Sequence, residues 1–261
     1  MIAVKKEKNT DSLFPVKEDT IYQASGGDPS GWKFIVREDT NEILSCMTDE
    51  YKLVSNRDVW DAAFPTLKDM GAVLTEEKVF SHGARVSWTW TIPDVKVKIK
   101  RGDELNPQIT IKNSYDGSYQ LGILSGAFRL LCSNGLVLGN ILSKKVNRHS
   151  IYNTNLDKIE ESIKSTVDTM DSVFKKELPV LVNTKTKPKD IQKLVKLFPD
   201  FTMEALTQYL LGNKINNFWD LLNAATWVST HTMNRGYEST HKLESQIYPS
   251  ITKWATQAAK S

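Results

Sequence analysis

The hydrophobic pattern changes its period partway along the chain. Across residues 73–111 apolar and polar side chains alternate with a period of two, as in Val86, Trp88 and Trp90. From residue 156 onward the apolar residues instead recur every three or four positions. A period of two is typical of a strand with one apolar face, whereas a spacing of three to four lines one face of a helix. The sequence therefore predicts an α+β fold: an antiparallel β-meander with packed helices and an α-helical C-terminal third.

Turn and capping signals place the elements of the first part of the chain. Strands are predicted at residues 32–36, 43–47, 86–91, 95–100 and 108–112, with Trp88 and Trp90 in the core of a half-buried strand. A helix is expected to begin with Asn56 as its N-cap and to stop at Gly71. Residues 102–104 form a predicted turn, and residues 113–118 form a polar loop with the hairpin signal Asp116-Gly117.

The later part of the chain is predicted to be helical. Its first helix carries an apolar face that we expect to serve as core first and as subunit contact second, and Pro179 is expected to end it. Residues 183–189 are interpreted as a surface linker, and further helices are predicted at 189–198, 203–211 and 217–229. The apolar face consists of Leu156, Ile159, Ile163, Val167, Met170 and Phe174.

Composition shifts suggest three segments. These are an N-terminal extension with a loop at residues 1–40, an α+β core domain at 41–182, and a helical C-terminal region at 183–261. The glycine-rich loop at 26–31 does not fit a phosphate-binding loop, because Gly31 is followed by Trp32 and not directly by Lys and Ser or Thr.

Charge is unevenly distributed. The whole chain has a formal net charge of +3, which does not mark a nucleic-acid binder by itself, but residues 91–150 carry 9 basic and 4 acidic side chains and so a net +5. The two cysteines, Cys46 and Cys132, form no disulfide framework, and neither a signal peptide nor a membrane span is indicated. We therefore expect a protein of the cytoplasm with no membrane partner.

The residues suggest no catalytic constellation. The four histidines lack metal-ligand spacing, and Cys132 lies in an apolar run where an inert thiol is the common state. We expect no catalytic residue, no metal and no cofactor. A metal-dependent nuclease stays open as an alternative, since four acids flank the basic region, although a turn role explains each of them more simply: Asp94, Asp103, Glu104 and Asp116.

Two basic clusters are candidates for holding phosphates. Lys96, Lys98 and Lys100 recur at a spacing of two, so they share one face of the predicted strand and repeat about every 6.6 Å. Arg101 and Lys112 lie on or near the adjoining hairpin. The second cluster consists of Lys144, Lys145, Arg148 and His149. The alternative interpretation is that alternating lysines only blunt an exposed sheet edge against aggregation.

Between the two clusters lie side chains that could contact bases or sugars. Aromatic rings stack on bases with a gain of about 1–3 kcal/mol each, and Tyr115 in the predicted polar loop is the best candidate. Asn113 and Arg129 are the polar candidates.

Several short phrases of the sequence resemble a phage- and plasmid-borne family described as domain of unknown function 932. They are Tyr51 to Asn56, Gly83 to Val86, Asn113 to Ser118, Arg129 to Leu136, Arg148 to Ser150, and Asn217 to Thr226 followed by His231. The resemblance covers about residues 40–235 and implies a mobile-element context without a mechanism, with the cytoplasm of the host as the compartment if the protein is phage-encoded. At the level of fold, a helix, a β-meander and a second helix are similar to the single-strand annealing proteins of the RecT, Redβ and Erf class, which assemble into rings or filaments on single-stranded DNA. That similarity implies annealing or recombination and a homo-oligomer.

The leading hypothesis is a non-catalytic protein that binds single-stranded DNA. The alternative is a phage interaction protein that inhibits a host defence or restriction system by binding a host protein, with the lysine strand as a docking edge.

Overall fold

The computed structural model describes residues 11–100, 103–118, 120–129, 135–137, 156–197, 203–231 and 237–260. Within these ranges the chain forms a mixed α+β structure with antiparallel sheets and with its helices concentrated in the C-terminal part, as the period change predicts. It divides into two compact units, each built from three separate segments. One contains residues 1–90, 110–123 and 145–163, and the other contains residues 91–109, 124–144 and 164–261.

The first unit opens with a three-stranded antiparallel sheet in the order β1-β2-β3. Its strands are β1 (Val16–Tyr22), β2 (Pro29–Arg37) and β3 (Ile43–Thr48). The sequence pattern predicts β2 and β3 but not β1. Most residues of β1 are polar, so it lacks the alternation of apolar and polar residues that indicates a strand. Two strands thus come from the segment interpreted as an N-terminal extension. The glycine-rich loop is the β1–β2 turn, closed by the Gln23 N–H donating to the Asp28 carbonyl at 2.7 Å.

Helix α1 (Asn56–Asp69) follows the three-stranded sheet. Its N-cap is Ser55 and not Asn56 as predicted, because the Ser55 hydroxyl accepts the Asp58 N–H at 3.0 Å. The helix buries Val59, Ala63 and Leu67, and Trp60 and Phe64 on the same apolar face are partly buried. Pro65 lies inside the helix.

A longer sheet follows, in the order β4-β5-β7-β8-β9 with β6 paired to β7. Its strands are β4 (Val73–Phe80), β5 (Arg85–Thr91), β6 (Val97–Lys100), β7 (Asp103–Ser114), β8 (Gly122–Arg129) and β9 (Gly135–Val137). Trp88 and Trp90 are buried as predicted, but Ser87 and Thr91 are buried as well, so β5 is not half-exposed. Asp103 and Glu104 begin β7 and do not belong to a turn as predicted.

The helical part confirms the predicted helices, adds one over residues 237–259 that was not predicted individually, and shortens the predicted linker to the residues between Asn183 and Pro188. Its helices are α2 (Ile159–Asn183), α3 (Pro188–Leu197), α4 (Met203–Gly212), α5 (Phe218–His231) and α6 (Tyr237–Ala259). Helix α2 continues through Pro179, where the sequence predicts its end. In the second unit, α2 to α6 enclose a core that includes Leu178, Leu194, Trp219 and Ile251.

Candidate nucleic-acid interface

The β6 lysine row, defined as Lys96, Lys98 and Lys100, lies on a short strand that pairs with the beginning of β7. Lys96 precedes β6, and both Lys96 and Lys98 are exposed. For Lys100 the structure describes the backbone, which lies opposite Asp103. Of the predicted row, the structure thus shows two exposed lysine side chains, two residues apart.

A turn at Pro93 and Asp94 leads into this row, and the β6–β7 register shifts within it, between Lys98 and Lys100. The Ile92 N–H donates to the Pro107 carbonyl at 3.0 Å, and Val97 lies opposite Leu105. Residues 93–96 thus separate Ile92 from Val97, whereas only Asn106 separates Leu105 from Pro107, so the chain before β6 carries extra residues. The buried side chain of Asn106 holds them: its amide nitrogen lies 3.3 Å from the Ile92 carbonyl oxygen and 3.0 Å from those of Pro93 and Val95. Hydrogen bonds from this one side-chain amide to backbone carbonyl oxygens therefore hold the turn that leads into the lysine row.

Carboxylates lie across from the lysines. Lys98 faces Glu104 in the β6–β7 register, and the Lys96 ammonium nitrogen lies 3.9 Å from a Glu104 carboxylate oxygen. Such exposed pairs are weak, contributing about 0–1 kcal/mol, so the lysines stay available to phosphate. The positive potential of the row is nevertheless lower than the sequence pattern indicates.

Three predicted contact residues are not on the surface. Strand β7 runs to Ser114, beyond the predicted strand end, and draws in residues assigned to a polar loop. Asn113 and Tyr115 are fully buried, and Lys112 is nearly so. The interpretation of Tyr115 as an exposed stacking ring, with Asn113 beside it, is therefore corrected. These polar residues form hydrogen bonds inside the first unit. A pattern of polar residues in the sequence does not distinguish such buried positions from exposed ones.

What these residues do is join three phrases of the sequence in the first unit. The Asn113 amide donates to the Asn56 side-chain oxygen at 2.8 Å and to the Val54 carbonyl at 3.1 Å. The Tyr51 hydroxyl donates to the Ser114 carbonyl at 3.0 Å, and the Tyr115 N–H donates to the Ala84 carbonyl at 2.7 Å. Burial raises the pKa of both tyrosine hydroxyls, which keeps them neutral donors and acceptors. The phrases that carry the family resemblance thus have structural roles.

The acidic residue of the third phrase is also engaged. A carboxylate oxygen of Asp116 lies 3.3 Å from Nε of Arg85, and the other oxygen accepts the Ser118 N–H at 3.0 Å. This Asx-type turn is the simpler role expected for Asp116. Among the described residues, no group of three or more His, Cys, Asp or Glu side chains could hold a metal ion.

The remaining predicted contacts lie outside the described residues or side chains. Arg129 is placed as the last residue of β8, but only its backbone is described. The residues beyond description are Arg101, Lys144, Lys145, Arg148 and His149.

The structure shows a second basic feature, which runs from the segment predicted as a surface linker into the helix predicted at 189–198. We call it the α3 lysine row, and it continues from the α2–α3 connection onto one face of α3. All of its members are exposed except Lys193, which is partly exposed. A spacing of two followed by spacings of four and three is the signal that could have found it. The row consists of Lys185, Lys187, Lys189, Lys193 and Lys196.

Exposed aromatic side chains occur elsewhere, on the three-stranded sheet. Trp32 on β2 is 48% exposed, and Tyr22 at the end of β1 is 61% exposed. Ile21 lies directly across from Trp32, so these two side chains share one face of the sheet, whereas Tyr22, the next residue along β1, projects from the other face. Trp32 and Tyr22 are therefore two separate exposed aromatic side chains.

In the part of the chain that the structure describes, every helix is too short or too polar to cross a bilayer. No curated protein and no solved structure matches the chain. The model of one family, described as Domain of unknown function (DUF932), matches residues 43–254. This match begins at the first residue of β3 and extends into α6, so it spans most of the chain and includes both lysine rows. The chain therefore belongs to the DUF932 family.

Proposed function

We propose that the protein binds single-stranded DNA without catalysing a reaction, and that it acts in annealing or recombination as an oligomer of phage or mobile-element type. The observation that supports this most directly is the exposure of Lys96, immediately before β6, and of Lys98, inside it, after a turn held by Asn106. Residues two apart in an extended chain are separated by about 6.6 Å, a spacing that suits successive phosphates of an extended DNA strand. The annealing role and the oligomer follow from the fold-level resemblance.

The test is fluorescence anisotropy with a labelled oligothymidylate at about 50 and 200 mM salt. Neutralising both lysines, Lys96→Gln with Lys98→Gln, removes two phosphate contacts. The slope of log affinity against log salt is then expected to become shallower by about 1.4, at roughly 0.7 per contact for single strands.

The matched control neutralises two exposed lysines of the same unit, Lys176→Gln with Lys214→Gln. It is expected to leave the affinity and the slope unchanged. A wild-type protein that fails to bind at the lower salt, or whose affinity does not depend on salt, would contradict the proposed function. Equal losses in both double variants would contradict the role of the β6 lysine row.

A second candidate function is the binding of a host protein that belongs to a defence or restriction system. The exposed Trp32 supports it, because tryptophan is enriched where proteins meet. A pull-down from host lysate with the wild type and with Trp32→Ala would test it. A partner that both proteins capture equally would not use this sheet face.

A further inference from the structure

The connection between α2 and α3 is an ordered, extended segment. The Thr186 N–H donates to the Asn216 carbonyl at 3.1 Å, and Lys185 forms a β-bridge with Asn217. Thr184 and Thr186 are partly buried, whereas Lys185 and Lys187 are exposed. Because side chains alternate along an extended chain, the threonines anchor the segment and the two lysines point away from it.

Helix α3 continues the row. Its start has a clear local cause: Pro188 occupies the first helical position, and the Asp190 carboxylate accepts the Lys187 N–H at 2.9 Å. Lys189, Lys193 and Lys196 follow at spacings of four and three, so they share one face of the helix. Helical rise separates them by about 6 and 4.5 Å along the axis.

The charge of this row is almost uncompensated. Residues 185–197 contain five lysines and a single acid, Asp190. Asp190 is buried, and its carboxylate is already engaged by the Lys187 N–H and by the Lys193 ammonium group at 3.3 Å. In the described part of the chain, Lys185, Lys189 and Lys196 have no acidic partner. The α3 lysine row thus differs from the β6 lysine row, which faces Glu104.

An aromatic ring lies beside the row. The Lys193 ammonium group is 5.6 Å from the centroid of the Trp254 ring, which belongs to α6 and is partly exposed. A ring at the margin of a basic surface offers a base a stacking partner worth about 1–3 kcal/mol by alanine substitution. This is a second feature, independent of charge, that suits a nucleic acid.

We propose that the α3 lysine row is a second binding site for the phosphate backbone of single-stranded DNA. This inference rests on the proposed function and adds a surface to it. An anionic membrane is the other polyanion such a row could meet. However, a helix that binds a membrane buries its apolar face in the lipid, and the apolar residues of α3, Ile191, Leu194 and Val195, pack in the core of the second unit. The observations therefore favour nucleic acid.

The experiment compares two triple variants of the full chain in the oligothymidylate assay. The test variant is Lys185→Gln, Lys189→Gln and Lys196→Gln, which spares the two lysines that contact Asp190. The control is Lys176→Gln, Lys214→Gln and Lys260→Gln, three exposed lysines of the same unit. In the test variant the slope of log affinity against log salt is expected to become shallower by about 2, at roughly 0.7 per contact. The fall in affinity between about 50 and 200 mM salt then becomes about fifteenfold smaller, while the control stays like the wild type.

The outcomes separate this inference from the proposed function. If the β6 double variant is impaired and the α3 triple variant binds like the wild type, the α3 site is wrong and the proposed function stands. If the wild type does not bind the oligonucleotide at low salt, both are wrong. If the triple variant loses binding only to phosphatidylserine vesicles, the row is a membrane site and the inference is overturned. In the Trp254→Ala variant we expect a further loss of affinity without any change of salt slope, because stacking carries no charge.

Discussion

The Asn56 backbone N–H donates a 2.7 Å hydrogen bond to the hydroxyl oxygen of Tyr115. Asn56 is the first residue of α1, and the first N–H groups of a helix have no partner within the helix. A tyrosine at the end of β7 thus satisfies the start of a helix that lies far away in sequence. The contact explains why Tyr115 is buried and polar at once, and it leads to the first prediction.

Tyr115→Phe is expected to lower the free energy of unfolding by about 1–3 kcal/mol, because it leaves a buried N–H without an acceptor. Its affinity for single-stranded DNA is expected to equal that of the wild type, since the ring is fully buried. Urea unfolding and the anisotropy assay measure the two quantities. Tyr22→Phe, at an exposed tyrosine, is the control for stability. A free energy of unfolding equal to that of the wild type would contradict the role of the Tyr115 hydroxyl as an acceptor for the Asn56 N–H.

Gly83→Ala is expected to destabilise the first unit by more than about 2 kcal/mol. Gly83 has a φ of +110°, where side chains are strained, and an added Cβ would lie 2.4 Å from a ring carbon of buried Phe14. The ring cannot withdraw easily, because the Arg37 guanidinium carbon lies 3.8 Å from its centroid. Gly26→Ala, where nothing lies within 4 Å of the new atom, is expected to change stability by less than about 0.5 kcal/mol. Equal thermal unfolding of the two variants would contradict this packing.

Alkaline pH is expected to destabilise the protein through its buried tyrosines. Burial, and secondarily a hydrogen bond to Glu177, raises the pKa of Tyr248 above its ordinary value of about 10. The unfolded chain therefore releases this proton first, so the stabilisation is complete below pH about 10 and is lost as pH rises above it. Each such tyrosine contributes a slope of about 1.4 kcal/mol per pH unit in that range.

Tyr248→Phe removes one of these groups. Its unfolding free energy, measured in urea from pH 9 to 11, should fall less steeply above pH 10 than that of the wild type, by about that slope. Parallel curves for the two proteins would show that the Tyr248 hydroxyl ionises alike in both states.

Glu104→Gln is expected to increase affinity for single-stranded DNA. The carboxylate faces Lys98 in the register and lies 3.9 Å from the Lys96 ammonium group, so neutralising it frees two cations for phosphate. We expect roughly a twofold to fivefold gain at about 50 mM salt that shrinks at about 200 mM. Asp171→Asn, which removes the exposed partner of Lys175, is the matched control and should have no effect. An unchanged affinity in Glu104→Gln would indicate that the β6 lysine row does not meet DNA.

Much of the fold could be predicted from local patterns. The helical spacing of Ile159, Ile163 and Met170 and the alternation of Val86, Trp88 and Trp90 are confirmed, because burying one face of a helix or strand requires these periods. The exact ends of the helices do not follow from these patterns. Serine and asparagine are both favourable N-cap residues, and Ser55 is the N-cap of α1 because its hydroxyl accepts the Asp58 N–H.

The candidate site depended far more on tertiary structure. The spacing of two between Lys96 and Lys98 and the recurrence of lysine along residues 185–196 follow from the sequence. Long-range packing, by contrast, places Glu104 across from the β6 lysine row and buries and engages Asp190, the one acid of the α3 lysine row. It also decided that Asn113 and Tyr115 bond to Val54 and Asn56 in the interior. This is because the type of a residue determines which hydrogen bonds its side chain can form, whereas its solvent exposure depends on which distant segment packs over it.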